Sequence, residues 1–151
     1  MKILVCTDGS DHSQKALEKA AFIATCCRAD QVAVIHVCES RQDTSHIMYT
    51  ATTYEEQARE FKKAVKEHRE KEAREIFKKA LTVFSHTNIA VKTIFEQGHP
   101  AKIILDVASE GGFEMIFIGS RGLGGWRKRI LGSVSSAVVQ EAKDITVVVV
   151  K

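Results

Sequence analysis

Apolar residues gather in five short runs separated by longer stretches of mixed polarity: Ile3 to Cys6, Val32 to Cys38, Ile89 to Phe95, Met115 to Ile118 and Ile145 to Val150. Each run is nearly continuous and rich in β-branched residues, the pattern of strands buried on both faces of a parallel sheet. Between them the period changes to that of a helix. From Asp11 to about Cys27, the residues Ala16, Leu17, Ala20, Ala21, Ala24 and Cys27 share one side, and Ser10 or Asp11 is available as N-cap. A second helix is predicted from about Tyr54 to Phe84, with the apolar stripe Ala58, Phe61, Val65, Ala73, Ile76, Ala80 and Val83. The stripe predicts a cover for the sheet. The i,i+4 pairs Glu55–Arg59, Glu67–Lys71, Glu70–Arg74 and Glu75–Lys79 predict a solvated outer face, since exposed pairs of this kind contribute only a few tenths of a kcal/mol. A third helix opens at His99-Pro100, with proline preset for the first turn, and stops at Gly111-Gly112. A fourth follows Gly132-Ser133 and presents Val134, Ala137, Val138 and Ala142.

Strand and helix alternate to the end of the chain, which predicts an α/β fold: one doubly wound domain over residues 1–151, a five-stranded parallel sheet with helices on both faces. A chain of this size buries roughly 70% of its unfolded surface and needs no covalent staple. Ligands of such sheets sit beyond the carboxyl ends of the strands, where the winding direction reverses. Two strands end in residues with chemistry to offer. The first runs into Cys6-Thr7-Asp8-Gly9-Ser10 and the fourth into a glycine-rich loop. If both flank the reversal the strand order is 3-2-1-4-5; the order 2-1-3-4-5 is the alternative. The long polar connector from Glu39 to Thr53, with His46 and Met48, is either a lid or disordered.

Charge and cysteines narrow the classes. Twenty-two basic against nineteen acidic residues give a net charge of +3, and most cations are interleaved with acids, which argues against nucleic acid as a partner. Four cysteines without a C-x-x-C spacing suit a reduced cytoplasm. The apolar opening run stops at Asp8, too short for a leader, and no stretch approaches the ~18 apolar residues of a membrane span. A soluble cytoplasmic protein is expected.

The stretch from Gly119 to Ser133 holds five glycines and four cations between a strand and a helix. Glycines let backbone N–H groups approach an anion, and the first turn of a helix offers unpaired donors at a positive dipole end, so the stretch is suited to phosphate. It is not a Walker loop, because Gly125 stands where the lysine belongs, nor a dinucleotide fingerprint, because Arg127 fills the third glycine position. What remains is Gly-x2-Gly-x9-Gly-Ser, read as Gly119, Gly122, Gly132 and Ser133. Gly132 either leaves room for an anion or ends the loop with a positive φ. Arg121 lies inside the glycine spacing and is the better cation for a contact; Arg127, Lys128 and Arg129 are a phosphate clamp or a solvated loop.

That spacing resembles the ATP-binding branch of the universal stress protein family, and the resemblance runs through nearly the whole chain. It includes Ile3-Leu4-Val5 to Asp8-Gly9-Ser10, Val34-Ile35-His36-Val37, Gly98-His99-Pro100, Ile116 to Gly122 and the terminal valines. The resemblance implies the 3-2-1-4-5 sheet, an ATP ligand with or without Mg2+, and a homodimer paired through the last strand. It implies that Cys6, Thr7 and Asp8 contact the nucleoside and that Val37 borders adenine. Gly119, Arg121, Gly122, Gly132, Ser133, Val134 and Ser135 would hold ribose and phosphates. Asp8 would accept from a ribose hydroxyl or bind a phosphate-held Mg2+, or else cap the first helix; Ser133 and Ser135 would donate to phosphate, cap the fourth helix, or both. The chain departs from relatives at Glu114, at Lys143 to Thr146 and at Cys6, a position often held by proline.

No Gly-x-Ser-x-Gly and no His-Glu-x-x-His occurs, so neither a hydrolase triad nor a zinc site has support. His36, in a strand, reads as a satisfied core histidine. The function expected is that of a stress-response regulatory or signalling module whose nucleotide is a ligand, with at most slow hydrolysis. Two alternatives stand beside it. One is an adenylating enzyme like the ATP pyrophosphatases, faintly resembled by Thr7 to Ser13; the other is a dimeric regulator that binds no nucleotide.

Overall fold

The computed structural model describes residues 1–39, 53–123 and 131–151, with backbone alone over 53–58. The expectations for His46, Met48, Gly124, Gly125, Arg127, Lys128 and Arg129 fall outside the described residues, as do the side chains of Glu55 and Ala58. In chain order the elements are β1 (Lys2–Cys6), α1 (Asp11–Cys26), β2 (Gln31–Glu39), α2 (Thr53–Phe84), β3 (Val91–Gly98), α3 (Pro100–Glu110), β4 (Met115–Gly119), α4 (Ser133–Glu141) and β5 (Thr146–Val150).

All four strand pairings are parallel, and the sheet order is β3-β2-β1-β4-β5. The alternative order is thereby excluded. Alternation along the central strand splits the core in two. Ile3 and Val5 pack with Leu17, Ala20 and Ala24 of α1 and with Ala80 and Phe84 of α2. Leu4 and Cys6 pack on the opposite face with Ala101, Ile104 and Ala108 of α3 and Val138 of α4. Small residues on α1 let its backbone lie close to the sheet, and Ser10 caps it by accepting from the Ser13 N–H.

Burial on both faces holds for β1, β2 up to Ile35 and β4, but not for β3 or β5, whose residues are half-buried or exposed. The sequence pattern could not see this, because an edge strand and a central strand of a parallel sheet carry similar apolar runs. Strand β3 also begins at Val91 rather than Ile89, which instead packs against the core from the turn.

The reading of α2 needs a larger correction. The helix is about 48 Å long at 1.5 Å per residue, whereas the longest strand, nine residues, spans about 30 Å. Among its described side chains it is the second half that covers the sheet, through Ala73, Phe77, Ala80 and Phe84, and Phe61 is 65% exposed. Its ion pairs run in the other sense from those expected: Lys63 to Glu67, Lys66 to Glu70 and His68 to Glu72.

Candidate functional site

The carboxyl ends of β1 and β4 lie side by side, and the helices that follow them pack on opposite faces of the sheet. That divergence opens a cleft of about 1020 Å³, at the top of the ~300–1,000 Å³ range of small-molecule sites. Eleven of the residues singled out from the sequence border it. The end of β1 brings Cys6, Thr7 and Asp8, and β2 brings Val37. The end of β4 brings Gly119, Arg121 and Gly122, and the start of α4 brings Gly132, Ser133, Val134 and Ser135.

Hydrogen bonds fix the turn after β1 from several directions. Thr7 N–H donates to the Ile35 carbonyl at 2.9 Å, one step beyond the paired residues of β1. Its hydroxyl lies 3.3 Å from that of Ser13 and accepts from Gly9 N–H. Asp8 does not cap α1. Its Oδ1 accepts from the backbone N–H and the hydroxyl of Ser10, at 3.0 and 2.6 Å, and so steadies the residue that does. Its Oδ2 accepts from Leu123 N–H at 3.1 Å, which ties the glycine loop to the first turn.

The three spaced glycines have different physical causes. A Cβ on Gly119 would come within 2.7 Å of the His12 carbonyl carbon and 2.9 Å of Ser13 N, so glycine here admits the first turn of α1. A Cβ on Gly122 would collide with Asp8 Oδ2, so glycine here admits the carboxylate. Neither is explained by phosphate alone. Gly132 differs: its φ is −70° and ψ 164°, open to any residue, and a Cβ would meet nothing nearer than 3.5 Å among the described residues. The possibility that it ends the loop with a positive φ is excluded, and no neighbour among the described residues requires a glycine at this point.

Gly132 is the N-cap of α4 and offers no side-chain acceptor. Neither serine caps the helix. Ser133 is its exposed first residue, and Ser135, 3% exposed, has its hydroxyl turned to the carbonyls of Ser120 and Gly132 at 3.2 and 3.1 Å. The loop is anchored by Gly132 N–H donating to the Ser120 carbonyl at 2.7 Å. The first-turn amides of Ser133 and Val134 therefore have no side-chain acceptor among the described residues, and the positive end of the helix dipole borders the cleft.

At the other end the wall is apolar, made by Val37, Ile35 and Ile104 with Cys6. Burial, with the Asp8 charge adding to it, pushes the Cys6 thiol well up, so it stays protonated and behaves as a small hydrophobe. His36 is held as expected of a core histidine, by the Thr7 carbonyl and two phenylalanines, yet its ring also borders the cleft.

Sequence reasoning missed the wall contributed by α2. His68, Lys71, Glu72 and Glu75 line the cleft, with Ile76 seated beside Gly9 at its base. These positions recur at i, i+3, i+4 and i+7, one helix face, and the available signal was the length of α2 beyond what the sheet could cover. Among the described residues no group of three or more histidine, cysteine or acidic side chains is placed to hold a metal ion. The cleft can thus take an anion at the start of α4, a flat apolar group against Val37 and Cys6, and a hydroxyl or cation at Asp8.

Comparison with known proteins agrees with this fold. The sequence profile of the universal stress protein family matches residues 1–151, and the chain belongs to that family. Universal stress protein YxiE of Bacillus subtilis is 36% identical over 140 residues, 92% of this chain and 91% of its own length. The solved structure of MJ0577, a universal stress protein of Methanocaldococcus jannaschii, superposes with a TM-score of 0.81 at 27% identity, over 99% of this chain and 94% of that one. A universal stress protein from Archaeoglobus fulgidus, solved in complex with dAMP, shares the fold with a TM-score of 0.65 at 22% identity, over 100% and 98% of the two chains.

Proposed function

We propose that this protein binds an adenine nucleotide, ATP, in the cleft between β1 and β4 and acts as a stress-response regulatory or signalling module. The observation that carries the reading is the start of α4: a helix N-terminus with no side-chain cap, entered through a glycine that no contact among the described residues requires. Phosphate oxygens accepting from first-turn amides explain both features. The base lies against Val37 and Cys6, and the ribose lies near Thr7 and Asp8. The phosphates run past Gly119, Arg121 and Gly122 to Gly132, Ser133, Val134 and Ser135, where the Arg121 guanidinium adds a cation. A relative solved with dAMP supports the nucleotide class.

A phosphate-held Mg2+ fits the donor set, since such ions take one or two carboxylates with the phosphates and keep several waters. Asp8 is the carboxylate that would hold it, and the ion would neutralise phosphate charge. Turnover is slow in this reading. Asp8 is the acid of the β1 turn, and both its oxygens already accept from backbone or hydroxyl donors, so this carboxylate is already engaged rather than free to take a proton from water.

Two copies pair through β5, an edge strand of nearly unbroken valine, because an open apolar edge invites association. No helix among the described residues is long and apolar enough to cross a membrane, which accords with the cytoplasmic setting proposed.

The test is mass spectrometry of small molecules released from freshly purified, denatured protein, followed by calorimetric titration of the emptied protein with Mg-ATP. Co-purified adenine nucleotide and micromolar binding are expected, with turnover far below the ~10 per second median of enzymes. No binding of ATP, AMP or cyclic AMP would leave the dimeric regulator. Rapid pyrophosphate release with an acceptor would favour the adenylating enzyme.

A further inference from the structure

The parallel ladder between β1 and β2 ends one bond early. Thr7 N–H donates to the Ile35 carbonyl at 2.9 Å. In a continuing parallel ladder the Thr7 carbonyl would then accept from Val37 N–H, because alternate residues of a strand direct both backbone groups to the same neighbour. That second bond is not formed among the described residues. The Thr7 carbonyl is instead engaged by Nδ1 of His36, at 2.9 Å. A carbonyl oxygen has no proton to give, so Nδ1 carries the hydrogen and donates it.

The imidazole is well placed to do this. It stacks on Phe95, its register neighbour on β3, with centroids 6.0 Å apart and planes 15° from parallel. Phe77 of α2 meets it edge-on at 6.3 Å and 86°. Two elements thus hold the ring while its donor reaches a third, the end of β1. The consequence lies on the neighbouring residue. With its ladder partner taken by His36, Val37 keeps an N–H without a partner among the described residues, on the β1 side of β2, where β1 has ended and the cleft begins.

We propose that His36 is a positioning residue that takes the place of the Val37 amide on the Thr7 carbonyl, leaving the Val37 backbone free to read a nucleobase edge. This rests on the nucleotide reading above. An N–H donor beside a C=O acceptor on one residue complements the Watson–Crick edge of adenine, whose ring nitrogen accepts and whose amino group donates. Guanine presents the reverse order at those positions. His36 therefore sets the preference for ATP over GTP through the Val37 backbone.

Two variants separate this role from packing. His36→Phe keeps the stacked ring and removes the donor; His36→Asn keeps a donor near the Nδ1 position and removes the ring. In His36→Phe the Thr7 carbonyl recruits the Val37 N–H and the ladder closes by one bond. Mg-ATP affinity then falls at least ~10-fold and the ATP-to-GTP preference shrinks, while His36→Asn melts lower yet keeps the preference. Amide hydrogen exchange of Val37 in the nucleotide-free protein is the decisive readout. Exchange slows at least ~10-fold in His36→Phe and not in His36→Asn, whereas mere loss of packing would speed it. Unchanged or faster Val37 exchange in a folded His36→Phe protein overturns the proposal. Because exchange needs no ligand, wild-type protein that fails to bind ATP defeats the nucleotide reading alone, and the Val37 result still decides the role of His36.

Discussion

Gly132 offers the sharpest test of the cleft, because structure and binding make opposite demands on it. Replacing it with alanine adds one methyl group whose nearest neighbours among the described residues, Arg121 Cα and Ser120 O, stand at 3.5 Å, ordinary van der Waals contact. The backbone at φ −70° suits alanine, and the lost freedom of the unfolded chain stabilises the fold by about 0.4–1 kcal/mol. Alanine is a poorer N-cap than glycine, which costs about as much. The two nearly cancel. A net change under ~1 kcal/mol moves the melting temperature of a domain this size by no more than about 2–4 °C. Binding has no such compensation. If phosphate approaches the first-turn amides over Gly132, the methyl group displaces it from charge-assisted hydrogen bonds of about 1.5–3 kcal/mol, a loss of roughly 10- to 150-fold in affinity. Gly132→Val, with a branched Cβ, should lose more of the ~8 kcal/mol that micromolar binding represents. Calorimetric titration with Mg-ATP and thermal melts of the same samples provide the comparison. A folded Gly132→Val protein that binds ATP within twofold of wild type refutes the phosphate site and most of the proposed function.

Gly122→Ala should destabilise by about 1–3 kcal/mol through the collision with Asp8 Oδ2, and adding Asp8→Gly should recover part of the loss. Additive melts in the double variant would show that the carboxylate is not the cause. Native thiol labelling at pH 8 should find Cys26 and Cys27 fast and Cys6 slow, since the first two are exposed and burial keeps the third protonated. Saturating ATP should slow Cys38, which borders the cleft; labelling of Cys38 indifferent to ATP would place the nucleotide elsewhere. Light scattering at micromolar concentration should report a dimer that Val148→Lys converts to monomer without unfolding, and a monomeric wild type would remove the β5 pairing.

Five β-branched runs and four amphipathic stretches determined the α/β architecture, since the apolar periods are set residue by residue and persist whatever surrounds them. The turn after β1 and the glycine spacing were likewise legible, because a strand end followed by Asp-Gly-Ser or by Gly-x2-Gly leaves few other uses. Only the tertiary structure decided what each residue in them is for. Gly119 answers to α1, Gly122 to Asp8 and Gly132 to no close contact among the described residues, and a one-dimensional pattern cannot tell these apart because the colliding partner is more than a hundred residues away in two of the three cases. The exposure of β3 and β5 depended on strand order, and the overhang of α2 depended on the length of sheet available to cover. The bond from His36 to Thr7 joins two strand ends whose register no local propensity records. Secondary structure follows from local sequence, whereas a site at the crossing of β1, β2, β4 and α4 is fixed by long-range packing, and that exists only in the folded chain.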